Sequence, residues 1–171
     1  MTVNIIDFIR DVKDFPKKGI IFKDITPLLA NPKAMKQATQ DILAMLPTNI
    51  DKVVGIEARG FFFASLLAEH LNAGFVPIRK PGKLPYKTFE ESYALEYGTD
   101  KLTMHIDAIK PGERVLIHDD VLATGGTAKA VVKLIEKAGG KVIMLNFLIE
   151  LSFLKGKEKI NNYPISSLLS Y

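Results

Sequence analysis

The stretch Arg114-Val115-Leu116-Ile117-His118-Asp119-Asp120-Val121-Leu122-Ala123-Thr124-Gly125-Gly126-Thr127 decides how the whole chain is read. Its apolar run at 115–117 is typical of a buried parallel strand. Two adjacent carboxylates follow, Asp119 and Asp120, and then a turn of small residues at 123–127. Beyond the turn, Ala128, Val131, Ile135 and Ala138 recur at spacings of three and four, which predicts a helix. A strand, a small-residue loop and a helix start together make an anion site. The first N–H groups of a helix lack partners within it, and its dipole favours negative charge there. The glycines let backbone come close to a ligand, and the two threonines add hydroxyl donors.

An acidic pair beside such a cradle is at first sight a contradiction, because carboxylates repel phosphate. It makes sense for a ligand that also carries hydroxyls, from which carboxylates accept, or a hard cation such as magnesium. A phosphorylated sugar with magnesium supplies all three features. The plain alternative is an ordinary strand-to-helix turn with Asp120 or Thr124 as the helix cap. Neither G-x-x-x-x-G-K-[ST] nor G-x-G-x-x-G occurs in the chain, so the two most familiar phosphate loops are excluded.

The 171 residues suit one domain with a full core. Hydrophobic residues make up 47% and charged residues 25%, as in an ordinary globular protein. There is no cysteine, hence no disulfide or thiolate chemistry, which fits a reducing compartment. Residues 1–13 carry Asp7, Arg10 and Asp11 among apolar positions and read as an amphipathic helix, not a signal peptide. The longest apolar run, 61–68, is too short to span a bilayer. A cytoplasmic protein without membrane association is expected. The net charge of +4 suits anionic small substrates and gives no case for nucleic-acid binding.

Outward from the central stretch, helices and strands alternate. Residues 4–12 read as a short helix, and 15–19 as a turn. Thr26-Pro27 and Asn31-Pro32 each look like a capping residue followed by proline at a helix start. The second opens a helix over about 33–45, with Met35, Ala38, Ile42 and Met45 on one face. Strands are predicted at 52–56, 75–78 and 141–148, a helix at 61–71, and an edge strand within 162–167. Residues 79–92 show little periodicity and several basic residues, the mark of a functional lid. A hairpin is predicted from 93–98 and 101–106, turning at 98–100. Residues 155–159 read as a solvated charged turn. The alternation predicts an α/β fold with a mostly parallel sheet flanked by helices. Ligands in such folds bind beyond the C-terminal strand ends, where Glu57-Ala58-Arg59-Gly60, Arg79-Lys80 and residues 119–127 all fall.

The string 115–127 resembles the phosphoribosyl-pyrophosphate (PRPP) signature of the type I phosphoribosyltransferases. Other stretches are similar to the adenine-using branch of that family. They are residues 15–29, which include Phe15-Pro16-Lys17-Lys18-Gly19 and Ile21-Phe22-Lys23-Asp24, Gly55-Ile56-Glu57-Ala58-Arg59-Gly60-Phe61, Phe75-Val76-Pro77-Ile78-Arg79-Lys80, Gly82-Lys83-Leu84-Pro85 and Leu95-Glu96-Tyr97-Gly98. The matches run in order over nearly the full chain.

The resemblance implies one phosphoribosyltransferase domain over 1–171, with a hood mainly from residues 1–30 and a catalytic lid at about 79–97. It implies purine salvage: transfer of the 5-phosphoribosyl group from PRPP to adenine, giving AMP and pyrophosphate. A homodimer is implied too, with Mg2+ organised by PRPP and water near Asp119 and Asp120 and no direct protein ligand. By resemblance Asp119 and Asp120 hold the ribose hydroxyls, and Ala123, Thr124, Gly125, Gly126 and Thr127 hold the 5-phosphate. Glu57, Ala58, Arg59, Arg79, Lys80 and Lys83 form the pyrophosphate side. Ile21, Phe22 and Lys23 bind adenine, with the Phe22 ring stacked on the base and the Ile21 carbonyl and Lys23 N–H reading its edge. Glu96 handles the proton, Tyr97 closes over the site, and Arg59 and Lys83 stabilise the departing charge.

Each assignment has a plainer rival: Arg59 as a surface ion-pair partner, Glu96 as a polar strand residue, and 20–25 as a core strand. Two positions depart from the pattern. His118 stands where an aliphatic residue is commoner and is expected to be a hydrogen-bonded sheet-end residue, not a catalytic one. Pro81 stands where the lid more often has a basic residue. Two other functions use the same fold: transfer to another base such as hypoxanthine, xanthine or orotate, and PRPP sensing by a non-catalytic regulator. A regulator would bring a DNA-binding module, and no basic recognition helix is evident.

Overall fold

The computed structural model describes residues 3–94 and 99–171. Its chain divides into two compact units, Met1–Ala44 and Met45–Tyr171.

In the first unit a 3-10 turn, Ile5–Phe8, leads into strand β1 (Arg10–Lys13), which pairs antiparallel with β2 (Ile21–Asp24). The helix expected over 4–12 is thus a single tight turn followed by a hairpin strand. Pairing across the hairpin overrides the weak helical periodicity: Val12 faces Phe22, and Lys23 Nζ lies 2.6 Å from Asp11 Oδ1. Asp14, at φ 57°, turns the chain, and its carboxylate accepts from Gly19 N–H at 2.6 Å. Ile20 and Ile21 are 43% and 51% exposed, so 20–25 is not the core strand its composition suggests. Both proline-led starts open helices, α1 (Thr26–Ala30) and α2 (Pro32–Leu43). Asn31 Oδ1 caps α2 by accepting from Lys33 and Ala34 N–H. At α1 the acceptor is Asp24, not Thr26: its Oδ1 takes the Thr26 N–H at 2.9 Å.

In the second unit β3 (Lys52–Ile56), α3 (Gly60–His70) and β4 (Gly74–Ile78) follow one another, and then a hairpin of β5 (Thr88–Ala94) and β6 (Thr99–His105). After it come β7 (Arg114–Leu122), α4 (Gly126–Lys137), β8 (Lys141–Glu150), two 3-10 turns (Ser152–Leu154 and Gly156–Ile160) and β9 (Ile165–Ser170). Five strands form one parallel sheet in the order β4-β3-β7-β8-β9. The α/β class read from the sequence is the one found, with β9 at the sheet edge.

The segment expected to be structureless through 92 is a strand from Thr88 onward, and Thr99 and Asp100, expected in the turn, already pair with Ala94 and Tyr93. Phe89, Glu91 and Tyr93 alternate onto one face of β5, but that face mixes aromatic and charged residues, so it carries no apolar period. The face is held by α4: Lys133 Nζ is 2.8 Å from Glu91 Oε1, and Lys137 Nζ lies 5.7 Å from the Phe89 ring centre. Backbone bonds between Arg79 and Thr103, at 3.1 and 2.7 Å, tie β6 to the end of β4.

The strand order fixes where a ligand goes. From β3 the chain crosses through α3 to β4 on one side, and from β7 it crosses through α4 to β8 on the other. The crevice between the C-terminal ends of β3 and β7 is therefore the topological switch point.

Candidate active site

Residues 57–60 leave β3 at one wall of this crevice, and β7 with the loop 123–127 makes the other. β7 runs on through the acidic pair to Leu122, so Asp119 and Asp120 are strand residues and His118 is not the sheet-end residue expected. His118 and Asp120 are buried. The loop then enters α4 at Gly125, which sits at φ 77°, a left-handed conformation that glycine adopts without strain. No side chain caps α4, so neither Asp120 nor Thr124 fills the capping role of the plain alternative. The helix-start N–H groups remain suited to an anion.

Two cavities meet here. One of about 70 Å³ is lined by residues of the loop, including Ala123, Thr124, Gly125 and Thr127. One of about 260 Å³ is lined by Glu57, Ala58, Arg59, Lys80, Tyr93 and Asp120 among others. Asp119 and Thr127 line both, so the two cavities are neighbours across these residues. Gly60 allows the walls to approach: a Cβ there would stand 2.6 Å from Asp119 Oδ1.

The charges are set in opposite directions. Burial and the neighbouring charge of Asp120 push the Asp119 carboxyl well up, and burial pushes Asp120 up against the opposing pull of Arg59. Arg59 Nε lies 2.7 Å from Asp120 Oδ2, an ion-pair contact without hydrogen-bond alignment, so that buried oxygen has no hydrogen-bond partner. Glu57 behaves otherwise. Burial raises it, but the Lys83 ammonium, the Lys80 N–H at 2.9 Å and the Arg79 guanidinium at 3.3 Å outweigh burial and bring it down to about 2. Lys80 is paired with Asp100, whose carboxylate also accepts from the Tyr93 hydroxyl at 3.2 Å. Every cation expected on the pyrophosphate side is thus held by a carboxylate, and an entering polyanion would compete for all of them at once.

Ile21, Phe22 and Lys23 are consecutive residues of β2 in the first unit, where Phe22 meets Phe15 edge-on with ring centres 5.1 Å apart. Glu96 and Tyr97 lie outside the described residues. Sequence reasoning missed Tyr93, a lining residue, and Asp100, the partner of Lys80. Both fall in an unremarkable hairpin pattern, and only the folded register brings them to the crevice. It also missed Gly156, which lies against the loop.

Among the described residues no group of three or more His, Cys, Asp or Glu side chains could hold a metal. Asp119 and Asp120 nevertheless offer adjacent hard oxygen donors that suit a hydrated cation carried in by a ligand, although Asp120 Oδ2 already faces Arg59. No helix among the described residues is long and apolar enough to cross a membrane.

A phosphoribosyl transferase domain model matches residues 24–168. The chain is 61% identical over 165 residues to the adenine phosphoribosyltransferase of Christiangramia forsetii, covering 96% of each. Among solved structures it is similar to adenine phosphoribosyltransferase from Thermoanaerobacter pseudethanolicus, at a TM-score of 0.95 and 50% identity, covering 98% of each chain. It is also similar to the Saccharomyces cerevisiae adenine phosphoribosyltransferase complexed with an imino-altritol bisphosphate and adenine, at a TM-score of 0.92 and 38% identity, covering 96% of each.

Proposed function

The chain belongs to the phosphoribosyl transferase family, and from that membership we propose that it transfers the 5-phosphoribosyl group of PRPP to adenine, giving AMP and pyrophosphate in purine salvage. One observation carries the reading. The acidic pair, the small-residue loop, Arg59 and Lys80 line two neighbouring cavities, which share Asp119 and Thr127, at the sheet's switch point. A phosphorylated sugar diphosphate has the matching sequence of parts: phosphate, hydroxyls, diphosphate.

In this reading the 5-phosphate takes the N–H groups and hydroxyls of residues 123–127, and Asp119 and Asp120 accept from the ribose hydroxyls. The diphosphate displaces Glu57 from Arg79 and Lys83 and draws on Arg59 and Lys80. When bound, PRPP-carried magnesium neutralises diphosphate charge, organised through water near Asp119 and Asp120. The C1–oxygen bond to pyrophosphate breaks as a base nitrogen bonds C1, and that nitrogen loses its proton. Positive charge develops on the sugar and negative charge on the leaving group, which preorganised cations stabilise. The closed lid excludes water, which would otherwise take the sugar.

Adenine is assigned to Ile21, Phe22 and Lys23. The carbonyl of Ile21 and the N–H of Lys23 belong to alternate residues of β2 and leave the strand on the same side, as two-point reading of a base edge requires. Glu96 is assigned the proton and Tyr97 the closure. If Glu96 is the base, Glu96→Ala lowers kcat more than it raises KM for adenine, and an unchanged kcat removes it from the chemistry. We also propose a homodimer and a cytoplasmic location, the latter suited by the cysteine-free composition. Other bases and a sensing role are not favoured, since the relatives at high identity are adenine enzymes. The test is pyrophosphate release by the purified protein with PRPP, magnesium and each base in turn. Adenine should support turnover far better than hypoxanthine, guanine or xanthine. No turnover with any base would leave the sensing role.

A further inference from the structure

Gly156 makes two contacts that no other residue type could make. A Cβ on Gly156 would stand 2.2 Å from the Ala123 carbonyl oxygen and 3.0 Å from Leu122 Cδ1. In return, a Cβ on Gly125 would stand 2.3 Å from the Gly156 carbonyl oxygen. Two glycine backbones therefore interlock, one in the loop at 123–127 and one in the 3-10 turn Gly156–Ile160. Gly156 is buried, although its chain neighbours Lys155 and Lys157 are exposed. Apolar burial does not hold the segment at its start, since Phe153 is 70% exposed. It is tied at its ends instead. Leu151 N–H donates to the Leu122 carbonyl at 2.9 Å, Lys157 Nζ lies 2.6 Å from Glu150 Oε2, and Ile160 is buried in the core.

We propose that Gly156 is a positioning residue: the segment 151–160 presses on the back of the loop and holds its N–H groups in the geometry that takes the 5-phosphate. The proposal rests on the reading of 123–127 as the 5-phosphate cradle. It assigns a role to a part of the chain that carries no recognisable motif. Any side chain at 156 displaces the Ala123 carbonyl by about an ångström, and a misplacement of that size costs binding heavily.

Binding of ribose 5-phosphate and of pyrophosphate, measured separately by calorimetry, separates this role from a merely structural one. Gly156→Ala should weaken ribose 5-phosphate about tenfold or more and leave pyrophosphate within about twofold, because only the first ligand uses the loop. In turnover, KM for PRPP should rise while KM for adenine holds. Gly139→Ala, strained at φ 84° and close to Pro111 away from the site, is the control for general destabilisation. Should Gly156→Ala fail to fold, Lys157→Ala removes the ammonium that pairs with the buried Glu150. It should raise KM for PRPP about two- to fivefold at constant KM for adenine. Equal weakening of both ligands, or unchanged ribose 5-phosphate binding in whichever variant folds, overturns the proposal. If the unsubstituted protein itself does not bind ribose 5-phosphate, the cradle reading fails instead.

Discussion

His118 places a titratable ring where no solvent reaches. Asn146 Nδ2 donates to Ser166 Oγ, so Asn146 Oδ1 accepts from His118 Nδ1–H at 2.8 Å, and the lone pair of Nε2 is left buried without a hydrogen-bond partner. Burial brings the ring from 6.5 down to about 4 against the raising effect of Asn146. The unfolded chain takes this proton below pH 6.5 and the folded chain only below about 4, so acidification across that window favours unfolding. The acidic pair acts oppositely, because raised carboxyl groups bind protons more readily when folded. The comparison must therefore be with a variant that differs at His118 alone. Urea unfolding at pH 7 and pH 5 should show the unsubstituted protein losing about 2 kcal/mol more than His118→Gln. Equal losses would mean that the ring is not held neutral. That His118 would be hydrogen-bonded was legible in the sequence. That it lies in mid-strand was not, because a histidine and two aspartates after 117 give no sign that pairing continues to Leu122.

At the scale of elements, the legible parts were those with their own period or cap. The strand Lys52–Ile56 and the Asn31 cap of α2 were both readable from local pattern. The hairpin β5–β6 was misplaced because the residues of β5 that meet α4 include Phe89 and Glu91, whose partners Lys137 and Lys133 are more than forty residues away in sequence. The short strand β1 was lost for a similar reason, its partner β2 lying beyond a turn. The segment between β4 and β5 carries Lys83, whose ammonium sits on Glu57 with its side chain 49% exposed. Glu57 in this pair is largely covered, but without Lys83 it keeps the Lys80 N–H and the Arg79 guanidinium, so the pair contributes modestly to stability, and the same ammonium would serve the leaving diphosphate. Lys83→Met should lower kcat/KM for PRPP about tenfold and shift Tm by no more than about 2 °C. A large fall in Tm with activity per folded molecule retained would make Lys83 a structural residue.

At the scale of the whole molecule, the site follows from topology. The reversal of strand order between β3 and β7 creates one crevice, and the chain's informative strand ends converge on it. Alternation of helices and strands was enough to read the fold class and the end of the sheet to inspect. It could not reveal that each cation of the pyrophosphate side would rest on a carboxylate, or that the chain after 151 would return to support the loop. Both depend on contacts between segments far apart in sequence. The central claim is that Asp119 and Asp120 serve the ligand and not the fold. Their raised proton affinities mean that their charges cost stability at neutral pH. The most direct test is AMP formation from adenine and PRPP by the double variant Asp119→Asn/Asp120→Asn, with its melting temperature taken on the same preparation. The account predicts turnover reduced by about a hundredfold or more, with a Tm equal to or above that of the unsubstituted protein. Near-normal turnover, or activity lost only in step with a collapsed Tm, would contradict it.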